Sequence, residues 1–163
     1  MVVQVSLEER VQELEWREAI RRLIADYCHG VDKHDVDRFM NIWQEDAAWE
    51  IGGPFGDYYG KAEVRHCLVD LIWPALPETH HWTTNLVLEF DGSSAKGMCD
   101  VDCTATDSEG RPLLIAASYF DDYERRDGDW KIAKRKVELF YQTPVLDPWS
   151  NTPESRFRLP KQG

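Results

Sequence analysis

Across 163 residues the chain carries 30 acidic and 19 basic side chains, and a formal net charge of -11 repels nucleic acid and anionic membrane surfaces, excluding both as partners. The length suits one domain with one core. A hydrophobic share of 42% is an ordinary globular balance, and 7 Trp, 6 Tyr and 6 Phe supply walls for a core or for a pocket that holds a flat or cyclic ligand. Ser6 and Glu9 have capping-box spacing and open a helical pattern in which Val11, Leu14, Ile20, Leu23, Ile24, Tyr27 and Val31 recur at threes and fours, so a first helix runs to about Gly30. A short second helix follows in "DVDRFMNIW", "AAWEI" reads as a first strand, and "GGPFGDYYG" as a loop over the sheet edge or a pocket mouth. "KAEVRHCLVDLIW" has the spacing of a third helix, ended by Pro74.

Strands are predicted over 79–90, 95–106, 112–125 and 129–142, and the links "DGSS", "DSEGR" and "RDGD" are turn signals that make these an antiparallel meander. Helices first and a long curled sheet afterwards is an α+β plan. The sheet wraps the first helix and leaves a cone-shaped cavity. This domain covers 1–143, and 144–163, rich in Pro and polar residues, is an irregular tail. The 4 cysteines, Cys28, Cys67, Cys99 and Cys103, form no CxxC and have no His at zinc-finger spacing, so reduced thiols and no metal are expected. "MVVQVSLEERVQELEW" lacks the basic start and apolar run of a signal peptide, and no stretch is long enough to span a bilayer, which implies a cytoplasmic protein.

Five positions draw attention chemically. Asp32, four after Cys28, falls at the edge of the first helix's apolar stripe, where its carboxylate is either desolvated or a helix-end group facing water. Tyr27 lies within the stripe. On the last strand Ala133, Arg135, Val137, Leu139 and Tyr141 share a face, so Arg135 is the charge on an apolar side, and an ion pair and an anionic ligand are equally open as its partner. His80 and His81 point to opposite faces. Alternation puts His80 with Trp82, Thr84, Leu86 and Leu88, the greasier set, and His81 with Thr83, Asn85 and Val87, where short polar groups suit a ligand; the pattern does not decide between them.

Taken in order, "GVDK", "IW", "DAAW", "WP", "ETHH", "TNLVLEF", "DVDC" and "YERRDGDWK" make most of the chain similar to the SnoaL-like branch of the nuclear-transport-factor-2-like superfamily. Within it the chain most resembles the hexachlorocyclohexane dehydrochlorinases and their dehydratase relatives, scytalone dehydratase among them. The resemblance implies a cofactor-independent lyase in which Asp32 and His81 form a dyad, His81 being the base and Asp32 fixing its tautomer. Arg135, Tyr27 and Tyr58 would stabilise charge on the leaving or carbonyl oxygen, and Trp49, Cys28 and Asn85 would contact the substrate. Position 27 departs from the dehydrochlorinase pattern, which has lysine there; Tyr27, five before the Asp, is similar to the spacing in bile-acid 7-alpha-dehydratase. A tyrosine suits an oxygen better than a halide. Elimination of water, HX or a small carbonyl fragment from a small cyclic or aromatic molecule is therefore implied. An isomerase or cyclase, which would need a second acid such as Asp100 or Asp102, and a non-catalytic small subunit of an aromatic-ring dioxygenase are the rival readings. The resemblance further implies a homotrimer, or a dimer, joined through the outer face of the sheet.

Overall fold

The computed structural model describes residues 6–145. Helix α1 (Leu7–Asp32) begins at the anticipated capping box, with the Ser6 hydroxyl accepting from the Glu9 amide at 3.1 Å and the Glu9 carboxylate accepting from the Ser6 amide at 2.8 Å. Its apolar stripe is buried only from Ile20 through Ile24, Tyr27, Cys28 and Val31; Val11 and Leu14, assigned to that stripe, are 46% and 65% exposed because the first turns project beyond the sheet. The helix also runs to Asp32, two residues past the anticipated Gly30.

Gly30 is where α2 (Val36–Asn41) crosses α1. A Cβ at Gly30 would lie 2.7 Å from the Phe39 Cβ and 2.9 Å from its backbone, so only glycine permits the approach. His34, with φ 54°, closes the turn between the helices, stacks on Trp73 at 4.6 Å and donates from Nε2 to the Pro77 carbonyl at 3.1 Å. The Trp73 indole in turn donates to the Val31 carbonyl. These contacts tie the end of α1 to Pro77, two residues before Thr79, where the chain enters the sheet.

Strand β1 (Trp43–Gly52) is longer than "AAWEI", and the end of "GGPFGDYYG" pairs back on it as β2 (Gly56–Tyr59), so only the first part of that segment is loop. Helix α3 (Lys61–His66) passes through a π-helical turn, Cys67–Ile72, into a last turn, α4 (Trp73–Ala75). The helical run therefore does not stop before Pro74. Proline begins that last turn, where no N–H is needed, after the widened turn lets the Trp73 amide reach the Leu68 carbonyl.

Strands β3 (Glu78–Asp91), β4 (Ser94–Thr106), β5 (Pro112–Arg126) and β6 (Asp129–Pro144) form the anticipated antiparallel meander. Sheet order is β2-β1-β6-β5-β4-β3, and β1 joins β6 in parallel, a pairing the turn signals did not reveal. The six-stranded sheet is curved and open, with β2 and β3 at its edges, and its concave face packs on the helices in an α+β cone. Among the described residues no helix is long and apolar enough to cross a membrane. Because β6 runs to Pro144, the expected boundary at 143 falls inside a strand; the rest of the proposed tail, from 146 on, lies outside the described residues.

Register shifts overturn simple alternation at two places that matter. On β3, Thr84 faces Asp100 and Val87 faces Met98, leaving an extra residue at Asn85, which has φ 56°. On β6, Ile132 faces Tyr123 and Lys134 faces Asp122, with Ala133 as the extra residue. Each bulge switches the inward parity. Leu86 and Leu88 thus join the face of Thr79, His81 and Thr83, and Trp130 and Ile132 join the face of Arg135.

Candidate active site

Asp32 ends α1 against the start of β3, and its carboxylate accepts three hydrogen bonds from that strand. The His81 amide reaches Oδ2 at 2.9 Å, while the Thr79 hydroxyl at 2.7 Å and His81 Nδ1 at 2.6 Å both meet Oδ1. A carboxylate can only accept, so Nδ1 carries the proton and Nε2 is left as the basic nitrogen. The reading of Asp32 as a solvated helix end does not hold: its side chain is 6% exposed. His80 points the other way, exposed and stacked on Trp82.

Burial pulls the His81 imidazole down, but hydrogen bonds with Asp32 and with Cys103, its register partner on β4, outweigh this and push it up to about 9. Burial likewise raises Asp32, yet the bonds from His81 and Thr79 hold it below the ordinary carboxylate value. The resting pair is an imidazolium–carboxylate at neutral pH, and the free base grows in as the pH approaches 9.

His81 opens on a cavity of about 150 Å³, on the scale that admits one benzene-sized ring. Its walls are mostly apolar, including Val31, Ile51, Phe55, Ile72, Leu76, Val101, Ile115 and Val137. The polar groups that reach it are Tyr27, Thr79, His81, Cys103, Tyr119 and Gln142, together with Trp49. Among the described residues the buried Trp49 indole N–H has no partner, and the same holds for Trp16, Trp43 and Trp130.

Arg135 does not line this cavity. It is 0% exposed, donates from Nε and Nη2 to Asp121 at 2.8 and 2.7 Å, and packs against the rings of Tyr27 and Tyr119, 4.2 and 4.1 Å from their centres. The choice left open for this residue falls to the ion pair, with Nη1 left without a partner among the described residues. Tyr27 and Tyr119 both line the cavity and stand against the guanidinium; burial pushes both hydroxyls far up, so they stay protonated.

Cys28, Tyr58 and Asn85, expected as substrate contacts, lie off the cavity. Cys28 is packed in the core between α1 and the sheet beside Thr83. Tyr58 donates to the Phe55 carbonyl and so holds the loop at the mouth. Asn85, displaced outward by its own bulge, is exposed and donates to Asp100 at 2.9 Å. Asp100 and Asp102 also face outward, since β4 turns Cys99, Val101 and Cys103 inward, and neither offers the cavity a second acid. Thr79, Cys103, Tyr119 and Asp121 were not singled out from the sequence. Thr79 stands two before His81 and so on its face, and Asp121 is the lone carboxylate among the inward Ala117, Tyr119 and Tyr123; both were visible as parity. Among the described residues no three His, Cys, Asp or Glu side chains gather as metal ligands do.

A helix cradled by a curved open sheet, with a small cavity between them, is the nuclear-transport-factor-2-like architecture, and the chain belongs to the SnoaL-like domain family, matched over residues 12–136. It is 41% identical over 131 residues to hexachlorocyclohexane dehydrochlorinase 1 of Sphingobium indicum, an alignment covering 79% of this chain and 84% of that protein. The crystal structure of hexachlorocyclohexane dehydrochlorinase LinA-type3 from Novosphingobium barchaimii superposes with a TM-score of 0.79 at 37% identity, over 84% of this chain and 94% of that one. A putative scytalone dehydratase from Novosphingobium aromaticivorans shares the fold, with a TM-score of 0.73 at 22% identity over 83% and 91% of the two chains.

Proposed function

We propose that the protein is a cofactor-independent lyase that removes a proton from carbon of a small cyclic or aromatic substrate and expels water, HX or a small carbonyl fragment. The observation that carries this is the 2.6 Å bond between His81 Nδ1 and Asp32 in the wall of an apolar cavity. His81 takes the proton at Nε2, and Asp32 orients the ring and balances the imidazolium. Dehydrochlorinases among the relatives support elimination as the reaction type.

The groups facing the departing atom favour oxygen over halide. Tyr27 and Tyr119 stay uncharged, and Arg135 behind them has its charge offset by Asp121, so the cation among these groups is already paired. An alcohol substrate balances simply: the C–H proton goes to His81 Nε2, the C–O bond breaks as the double bond forms, and the departing hydroxide, hydrogen-bonded by a tyrosine, takes that proton back from the imidazolium and leaves as water. The outward aspect of Asp100 and Asp102 weighs against the isomerase, and an assembled dyad weighs against the non-catalytic subunit.

The assembly belongs to the same reading. Trp82, Val87, Met98, Phe120 and Phe140 are exposed apolar groups, and Val87, Met98 and Phe120 adjoin one another across β3, β4 and β5 on the convex face, which supports a homotrimer built through that surface. Four free, buried thiols suit a reducing, cytoplasmic setting.

A screen of cyclic alcohols, aryl diols and cyclic halides by mass change tests the reaction. Loss of water is the expected outcome. His81→Ala should reduce kcat about 10²-fold or more while His80→Ala leaves it near wild type. Equal turnover by the His81 variant would remove the base from the scheme.

A further inference from the structure

Two donors converge on one oxygen in this site, and only one of them belongs to the dyad. The Thr79 hydroxyl gives its proton to Asp32 Oδ1 at 2.7 Å, the same atom that accepts from His81 Nδ1 at 2.6 Å. Thr79 is buried, and it borders both the cavity and an open groove behind Asp32 that carries Lys33, Glu78 and His80. The position of the threonine is enforced by strand parity, two residues before His81, so its hydroxyl and the histidine ring reach the carboxylate from one face.

We infer that Thr79 is a positioning residue that sets the basicity of His81 by sharing Asp32 Oδ1. A hydrogen bond donated to an ionised carboxylate draws off part of its negative charge, and that charge is what stabilises the imidazolium. Without Thr79 the whole of Oδ1 would serve His81, and the imidazole would hold its proton more tightly. The threonine therefore opposes the upward pull of Asp32 on His81. The other groups around the pair are Cys103 from β4 and Tyr27 from α1 on the cavity side, Cys28 from α1 on the core side, and Lys33, His34, Glu78 and His80 on the groove side. Of these, Cys103 touches His81, and none besides Thr79 and His81 hydrogen-bonds the Asp32 carboxylate.

The experiment is an NMR titration of the histidine rings in the full chain, with a His81→Gln variant identifying the resonance of His81. It needs no substrate. Thr79→Val keeps the shape and removes the donor, and should move the His81 midpoint alkaline by about 0.5 to 1 unit, whereas Thr79→Ser, which restores the hydroxyl, should titrate as wild type. A midpoint in the valine variant that is unmoved or acid-shifted overturns the inference, as does a serine variant that moves as far as the valine one. The consequence for rate rests on the lyase reading: Thr79→Val should then lower kcat/KM at pH 7 about 3- to 10-fold. A shifted midpoint with an unchanged rate upholds the role of Thr79 and tells instead against His81 as the base.

Discussion

Asp121→Asn is the perturbation with the largest expected effect on the fold. The substitution keeps the size of the side chain but deletes the charge opposite Arg135, which is 0% exposed and donates twice to that carboxylate. Asparagine can accept only one of those two bonds, and its NH2 would face a guanidinium N–H, donor against donor. The guanidinium cannot swing to water because it is fully buried with Tyr27 and Tyr119 packed against it, and among the described residues Nη1 already lacks a partner. An uncompensated buried charge costs about 3–5 kcal/mol, and for a domain of this size each kcal/mol moves the midpoint by about 2–4 °C, so a loss of about 10–15 °C is expected. Thermal melts by circular dichroism measure it. Replacing both partners, Asp121→Leu with Arg135→Met, should recover most of the loss, since no charge is then stranded. A single Asp121→Asn protein that melts within about 2 °C of wild type would refute the reasoning, because Arg135 would then have a source of compensation other than this carboxylate.

Gly30→Ala should destabilise by about 1–3 kcal/mol, since the new Cβ would meet the backbone of Phe39 at 2.9 Å and no rotamer relieves it; urea unfolding checks this, with an accompanying loss of activity as α1 shifts Asp32. The pH dependence follows from the raised histidine and the lowered carboxylate. The stabilisation His81 contributes is fully present below its unfolded value of 6.5 and disappears as the pH climbs through about 9, while that from Asp32 is present above 3.8 and lost as the pH falls below it. Melts across pH 5–10 should show the alkaline decline, and a His81→Gln protein should lack it. In the same range kcat/KM should rise with pH and level off above about 9, as the free base forms.

Much of the architecture was legible because local signals carried it. The capping box at Ser6 and Glu9, the glycine-bearing hairpin turns and the alternation along β4 each depend on a few neighbouring residues, and the four strands of the meander came out within two residues of their bounds. Non-local features were not legible. The parallel pairing of β1 with β6 leaves no trace in either segment, and the π-helical turn that carries the chain into Pro74 resembles ordinary helix spacing. Bulges did the most damage: alternation through Asn85 grouped His80 with Leu86 and Leu88, when the extra residue puts those leucines on the side of His81. The sole hint was an asparagine, a residue that tolerates positive φ. Pattern alone thus left the choice of histidine open, and it was the family resemblance that selected His81. Arg135 illustrates the complementary limit, since its charge on an apolar face was plain but its partner on β5 required the register that pairs it with Asp121.

The most direct test of the site is the rate of Asp32→Asn. The amide can still accept from Nδ1 or Thr79, but its NH2 would confront the donors that now surround the carboxylate, and the charge that balances the imidazolium is gone. With the substrate identified by mass change, kcat is expected to fall by about 10²- to 10⁴-fold at every pH between about 6 and 10, in a chain whose circular dichroism is that of the folded protein. A folded Asp32→Asn protein that turns over at the wild-type rate would contradict the dyad and leave His81 without its proposed role.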